Sequence, residues 1–532
     1  MAKSVVNLDA LIPREDMLSP AGDFSGSTLE RIDISHLDDG FFVNALRKPD
    51  FQRETAHWTP EKVADLVQAF VSGDLIPAVI LWRRGANVFV IDGSHRLSAL
   101  ISWVRDDYGD GKASLEHFGG GVPEEQKKIA AKTRKLIGET VGPYAALAGA
   151  KRNPQNASTA VQQMLGHLAA NAVVAQWVPK VDEKAAEDAF FKINQAATPI
   201  DPTERLILQS RYTPNAIAAR AIARGGTGHK YWSGFQQATR AQIETEAKSI
   251  NVALYEPPLG DLPIKSLDVP IAGRGYSALP FIYELVNWAN DVPDFSKSKT
   301  EPVPDSDGSQ TLAYIKAVKD AVALITGDQP KSLGLHPIVY FYTRGGEFQP
   351  NALIATAAFL KDRVEKKELE KFTTVRAKME AFILAHKEFI TLIIKKTGAG
   401  RRSLGRIKRY LEMLMNEFAA GKIDQNVLKQ LENDPEFVFL PAMLKVPATR
   451  EGDNPSRRFS RSTKSASFME AAVQSAVKCA ICSGLVHRNS MHFDHKKLAR
   501  EGGGSDMKNA QVTHPYCDSA KDALQKVLRK SA

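Results

Sequence analysis

Residues 88–103, "VFVIDGSHRLSALISW", set four consecutive apolar residues directly before an Asp-Gly turn and a segment whose Leu97, Leu100 and Ile101 recur at helical spacing. A short buried strand, a tight turn and an amphipathic helix opening at Ser94 make one α/β unit. Such a turn aims free backbone N–H groups and the positive end of the helix at a point where a phosphate can rest. His95 and Arg96 fall in the first turn, and Arg96 carries a planar fork suited to bidentate phosphate contact. Plainer roles exist for the same residues: Asp92 as a helix cap and Arg96 as the partner of a carboxylate. The stretch alone leaves both readings open.

Upstream, "WTPEKVADLVQAFVSG" (58–73) has Val63, Leu66, Val67 and Phe70 on one face after a Thr59-Pro60 start, which predicts a helix ending near Gly73. "PAVILW" (77–82) and "NVFVID" (87–92) then read as short strands around the "RRGAN" turn. Downstream of a glycine-rich break at 118–125 the chain reads as mostly helical to about residue 445, with loops at 255–263 and 301–310. Two long helices are expected at 369–396 and 403–420. The "TGAGRR" between them is more simply a glycine C-cap than a phosphate site. "LGLHPIVYFYTRGGEF" (333–348) holds no interpretable motif, and His336 with its aromatic neighbours reads as core.

The chain has 532 residues, 43% apolar and 25% charged, so it exceeds one hydrophobic core and suggests about three units. The first residues lack the pattern of a signal peptide, and no apolar run reaches the roughly 18 residues of a membrane span, which points to a cytoplasmic protein. Of the net charge of +9, residues 446–532 carry 15 Lys and Arg against 8 Asp and Glu. Positive charge so concentrated attracts a phosphate backbone. Residues 448–467 have a linker's composition, with Arg457, Arg458, Arg461 and Lys464 able to touch such a backbone.

Only three cysteines occur, all within 39 residues, which favours a metal site over a disulfide framework. Cys479-x-x-Cys482 and His514-x-x-Cys517 form two knuckles, and a Cys/Cys/His/Cys set satisfies tetrahedral zinc. His487 competes with His514 for the fourth place, but choosing it would leave Cys517 without a paired neighbour.

Between the knuckles lies "SMHFDHKKLAREGGGSDMKNAQVTHPYCDSAK", which resembles the HNH endonuclease family over about 45 residues. Asp494-His495 matches the family's Asp-His pair, Gly502 to Gly504 its glycine turn, Asn509 its Asn, and Asp518 its last metal-ligand place. The resemblance implies His495 as general base, Asp494 and Asp518 as ligands of one catalytic Mg²⁺ or Mn²⁺, and Asn509 as the brace of the loop that aims His495. Hard carboxylate oxygens suit those ions. Two positions depart from the pattern: His514 replaces a cysteine, and Asp518 stands where His or Asn is usual. His492, two residues before Asp494 along a strand, faces the same side and is placed to assist or replace His495.

The N-terminal region resembles the DGQQR-type domain of the ParB/sulfiredoxin-like superfamily found in GmrSD-type restriction enzymes. The matching pieces are Phe51-Gln52-Arg53, Trp58, Ile76-Pro77, Asp92-Gly93-Ser94-His95-Arg96 and the Phe-x-x-Ile-Asn element ending at Asn194. That family is associated with nucleotide binding and hydrolysis, which makes Gln52, Arg53, Asp92, Gly93, His95, Arg96 and Asn194 the candidates for an NTP. Ser94-His95 stands where Gln-Gln is frequent, so binding is expected before turnover.

The expected architecture is multidomain α+β: a ParB/sulfiredoxin-like α/β domain at 1–210, a helical domain at 211–445, a basic linker at 446–467 and a zinc-stapled ββα-metal domain at 468–532. The expected function is a DNA endonuclease governed by a nucleotide- or modification-sensing front end in defence against foreign DNA, acting as a dimer or by sequential nicking if it cuts both strands. RNA is the alternative polymer. The rival reading is a ParB-like, nucleotide-gated DNA-binding regulator whose zinc module does not cut.

Overall fold

The computed structural model describes residues 5–15, 28–38, 40–50, 52, 55, 58–152, 154–179, 183–196, 202–259, 263–273, 278–293, 303–398, 400–445 and 458–524. They divide into two compact units. The first is formed by residues 1–217 with 227–234 and 302–304; the second holds the rest.

The first unit is built on a six-stranded mixed sheet of β1 (Arg14–Glu15), β2 (Arg31–Asp33), β3 (Leu46–Pro49), β4 (Val79–Arg84), β5 (Asn87–Asp92) and β6 (Ala172–Trp177). Their order is β1-β3-β5-β4-β6-β2. β5 runs parallel to β3 and antiparallel to β4, and β4 pairs in parallel with β6. The apolar run of β5 is continuous because both faces of the sheet are covered. Alternation along the strand sends Val88 and Val90 into the main core, while Phe89 and Ile91 join Trp82, Ala186, Phe190 and Leu208 on the other side.

The helix Pro60–Ser72 forms as its pattern predicts: the Thr59 side chain accepts from the Lys62 N–H at 3.4 Å, Gly73 closes it in the left-handed region, and Val63, Val67 and Phe70 are buried. The helix Ser94–Arg105 follows β5 directly, with Gly93 at its N-terminus at φ +96°. A Cβ there would lie 2.5 Å from Val79 Cγ1, so only glycine turns the chain at this point. One strand escapes the sequence reading. "AVVAQW" of β6 lies in a stretch read as helical, and it is a strand because β4 and β2 flank it, pairings made at long range.

The second unit contains the helices of the middle region and the C-terminal residues together. Its helices Pro350–Glu365, Leu369–Ala385 and Arg401–Ala419 pack on one another around Phe372, Met379, Phe382, Tyr410 and Leu414. The helix expected at 369–396 is broken in two, Leu369–Ala385 and Glu388–Thr397. At the break Lys387 Nζ donates to the Val339 and Tyr342 carbonyls, each at 2.7 Å, a tertiary tie that no local pattern announces. Residues 333–348 are core as read, with His336, Tyr340, Phe341 and Tyr342 all buried. Residues 446–457 of the expected linker lie outside the described residues. From Arg461 that segment is helix, Arg461–Gln474, opened by the Ser460 side chain accepting from the Thr463 N–H at 3.0 Å.

Candidate functional site

The C-terminal site begins with a hairpin, β7 (His492–His495) paired antiparallel to β8 (Ala510–Thr513), followed by the short helix Pro515–Ser519. Its apolar cluster is small, Val486, Leu524 and the three cysteines against Ile481, Met491 and Val512, too little to hold sixty residues without a staple. The staple is legible in the donors. Cys479, Cys482, His514 and Cys517 are buried, with their ligand atoms all within 4.8 Å of one another.

His514 Nδ1 lies 3.4 Å from Cys482 Sγ and 3.8 Å from Cys517 Sγ. Tetrahedral zinc bonds of about 2.3 Å to sulfur and 2.0–2.1 Å to nitrogen put such atoms about 3.6 Å apart. His514 Nε2 meets the Leu485 carbonyl at 3.0 Å, which fixes the ring and leaves Nδ1 for the metal. The donor set therefore fits a zinc-type ion. Three thiols this close cannot all ionise without a cation between them; hydrogen bonds from Cys482 and Cys517 already hold the Cys479 thiol far below its ordinary range. His487 is not part of the group. It is buried against His336, ring centroids 5.5 Å apart, and burial pushes it down to about 4.

Alternation along β7 turns His492 and Asp494 to one face and Phe493 and His495 to the other. Asp494 is 8% exposed, while His495 lies open to solvent. Asp494 Oδ2 takes Lys521 Nζ at 2.7 Å and Gln511 Nε2 at 2.8 Å. Lys521 also donates to the His495 carbonyl, tying the strand to the helix that follows. Asp518 Oδ2 stands 3.3 Å from His492 Nδ1, so His492 joins the carboxylate face.

Asn509 does what a brace must: its Oδ1 accepts from the Lys497 N–H at 2.8 Å, and its Nδ2 donates to the Lys497 and Gly504 carbonyls at 3.0 and 2.6 Å. Gly503 passes so close that a Cβ would lie 1.9 Å from the Lys497 oxygen. Among the described residues the Cys/Cys/His/Cys set is the group of three or more metal donors. His492, Asp494 and Asp518 do not form such a mutual group of three among the described residues, so a Mg²⁺ or Mn²⁺ held by the two carboxylates would keep waters and substrate oxygens in its shell.

Two buried residues missed by sequence reading tie this module to the helical body. Arg376 gives Nε to Glu380 Oε1 at 2.6 Å, donates to the Leu333 and Gly334 carbonyls, and brings Nη1 within 3.4 Å of His514 Nδ1. Glu380 Oε2 accepts from the Leu485 N–H at 2.7 Å. Burial alone would lower Arg376, but the Glu380 carboxylate holds it charged. The i, i+4 spacing of the pair was the available signal.

In the first unit the candidate phosphate turn is built as expected, but its charges look inward. Arg96 Nη2 meets Asp92 Oδ2 at 2.5 Å and the Ala78 carbonyl at 3.0 Å. His95 stacks on Trp58 with centroids 5.6 Å apart. Gln52 Nε2 donates to the Val90 carbonyl at 3.1 Å, and its buried Oε1 meets no partner among the described residues. Arg53 lies outside the described residues, as do Arg457 and the side chain of Asn194, whose backbone is in the helix Glu183–Ala196.

Buried charges hold Asp50, Gln52 and Thr55 in place. Asp9 Oδ1 takes Lys48 Nζ at 2.6 Å, Arg14 Nη2 at 2.9 Å and the Thr55 N–H at 3.0 Å, and Arg14 also donates to the Gln52 carbonyl. On the other side Asp50 Oδ2 accepts from Arg211 Nε at 2.9 Å and Tyr212 Oη at 2.8 Å. Burial opposes the Arg211 charge, but Asp50 and Glu187 raise it above its ordinary range. A charge embedded in an apolar run, as Asp9 is between Leu8 and Leu11, was the one clue.

Residues 34–213 match the family model described as GmrSD restriction endonuclease, N-terminal domain. This region is a GmrSD-like domain. The match ends at the close of the first compact unit's main segment and covers the candidate turn, Gln52 and Asn194. No curated protein and no solved structure matches the chain. No helix among the described residues is long and apolar enough to cross a membrane.

Proposed function

We propose that the chain is a metal-dependent DNA endonuclease of HNH type, governed by its GmrSD-like domain and serving restriction of foreign DNA. The observation that carries this reading is the Asn509-braced glycine loop behind the hairpin of β7 and β8, with two carboxylates and two histidines in the same module as the buried Cys/Cys/His/Cys group. The matched family's printed description, a restriction endonuclease, supports the same class.

In this reading His495, exposed at the end of β7, takes the proton of the attacking water as general base. Asp494 and Asp518 hold Mg²⁺ or Mn²⁺, which when bound offsets charge on the scissile phosphate. Asp494 Oδ1 carries no hydrogen bond among the described residues, so that oxygen is the one open to the ion. Lys521 and Gln511 fix the other. His492 orients Asp518. In the first unit, Gln52, Arg53, Asp92, Gly93, His95, Arg96 and Asn194 form the nucleotide contacts, and NTP binding there licenses cutting. Turning Arg96 to a phosphate requires release from Asp92, a local change of one ion pair.

The test is conversion of supercoiled plasmid with Mg²⁺ or Mn²⁺, with and without an NTP, beside His495→Ala at unchanged melting temperature. Loss of a general base slows cutting by about 10²–10⁴-fold. Cutting by both proteins alike would reject His495 as base, and cutting by neither under any condition would favour a non-cutting, DNA-binding module.

A further inference from the structure

Between Glu388 and Glu412 the sequence holds seven Lys and Arg and no Asp or Glu. Two of the seven are spoken for: Lys408 pairs with Asp362 at 2.6 Å, and Arg409 with Asp434 and Glu436. The Arg401 side chain is not among those described. Lys395, Lys396, Arg402 and Arg406 form no ion pair among the described residues, and all reach solvent. Arg402 and Arg406 are one turn apart on the helix Arg401–Ala419, and Lys395 and Lys396 lie in the last turn of the preceding helix, which three residues separate from it in sequence. Like charges gathered without partners repel one another and cost stability, so an arrangement of this kind points to an anionic occupant.

This patch continues toward the second basic segment. Asn351 Nδ2 donates to Ser403 Oγ at 2.7 Å, and Gln349 Nε2 to Thr391 Oγ1 at 2.8 Å, which seats residues 349–351 against the patch. Six residues earlier Gly345 lies against the Ser462 side chain, next to Arg461; Arg461 and Lys464, about one turn apart on that helix, also form no ion pair among the described residues. Six residues span at most about 20 Å, so both basic groups fall within about one helical turn of duplex DNA, roughly 34 Å. Arg344 between them is not counted, because Glu388 and Glu470 neutralise it. The helix Arg461–Gln474 then leads to the Cys479 knuckle, about 20 Å along its axis.

We infer that Lys395, Lys396, Arg402 and Arg406, continued by Arg461 and Lys464, form a duplex-DNA backbone track on the helical body. It rests on the nuclease reading only for the choice of polymer. The track positions the duplex and carries no sequence preference, since its contacts are to phosphates.

The experiment measures binding of the full-length, zinc-loaded protein to fluorescent 30-base-pair duplexes of two unrelated sequences, with Ca²⁺ in place of Mg²⁺, across a salt series. The variants are Lys395→Glu with Lys396→Glu, Arg402→Glu with Arg406→Glu, and Lys429→Glu, an exposed control on Asp424–Asn433. Melting temperatures report that each folds, and Lys→Gln and Arg→Gln versions separate lost attraction from added repulsion. Each double variant is expected to lower the slope of log Kobs against log salt by about 2, equally for both sequences, while the control leaves it unchanged.

Unchanged slopes in folded variants, no duplex binding by the parent protein, or stronger displacement by RNA than by DNA would each overturn the track. Plasmid cutting is scored separately. Slopes that fall without any cutting uphold the track and reject the nuclease; cutting with unchanged slopes does the reverse.

Discussion

The two units fix polar residues in place with different materials. Around Gln52 the first unit uses buried ion pairs, Asp9 with Arg14 and Lys48 on one side and Asp50 with Arg211 on the other. Around His495 the second uses four metal donors and an Asn brace, with Arg376 and Glu380 joining them to the helical body. The ion pairs need a large surrounding core to hold their geometry, and the sheet with its two covered faces supplies one. The hairpin has no such core, and its four donors fit a metal that would take that part. The expectation is that a chelator leaves the first region unchanged and loosens the second.

The sharpest way to break that contrast is to remove the metal. Structural zinc contributes on the order of 10–16 kcal/mol in small metal-dependent folds. Stripping it, or substituting Cys482→Ser, is expected to abolish amide-exchange protection across residues 479–524 while leaving residues 58–105 protected. Protection lost in both regions, or in neither, would erase the distinction.

Next in size are the buried charges. Asp9→Ala leaves Arg14 and Lys48 buried without their shared carboxylate, and Arg376→Ala leaves Glu380 without its guanidinium; each is expected to cost about 3–5 kcal/mol. Denaturant unfolding followed by exchange should assign the Asp9→Ala loss to the first unit and the Arg376→Ala loss to the second. Zinc content should fall only for Arg376→Ala.

Acid supplies a third test. His487 is held at about 4 by burial, against about 6.5 in the unfolded chain, so below pH 6.5 the unfolded chain binds the extra proton. Stability of the second unit is thus lost as pH falls from 6.5 toward 4, by up to ~3 kcal/mol from this residue. His487→Phe should flatten that acid limb in chemical unfolding; an unaltered limb would place the loss elsewhere. The smallest effect is local: Thr59→Ala removes the cap of Pro60–Ser72 and should lower first-unit stability by ~1 kcal/mol without changing zinc content.

What could be read without coordinates were the features with short sequence range. The strand-turn-helix at 87–105, the helix at 60–72 and the four knuckle ligands each repeat at spacings set by local geometry, and Asn509 lay at a motif position. The choice of His514 over His487 followed from spacing and agrees with the donor geometry. Less legible were β6, the break at Lys387 and the helix from Arg461, because partners far along the chain decide them. Sequence likewise offered Arg96 as a phosphate fork, while its neighbour Asp92 and the Ala78 carbonyl claim it in this structure.

By itself the sequence determined which residues carry chemistry: thiols and imidazole at knuckle spacing, carboxylates flanking a glycine turn, and an Asp-Gly turn opening a helix. Only the tertiary structure decided which charges are paired and which stand free. It buried Asp9, Arg376 and Glu380 where their partners compensate them, and left Lys395, Lys396, Arg402 and Arg406 reaching solvent with no ion pair among the described residues. A side chain's type is local to the chain, but its solvation and partners are set by contacts among residues tens to more than a hundred positions apart.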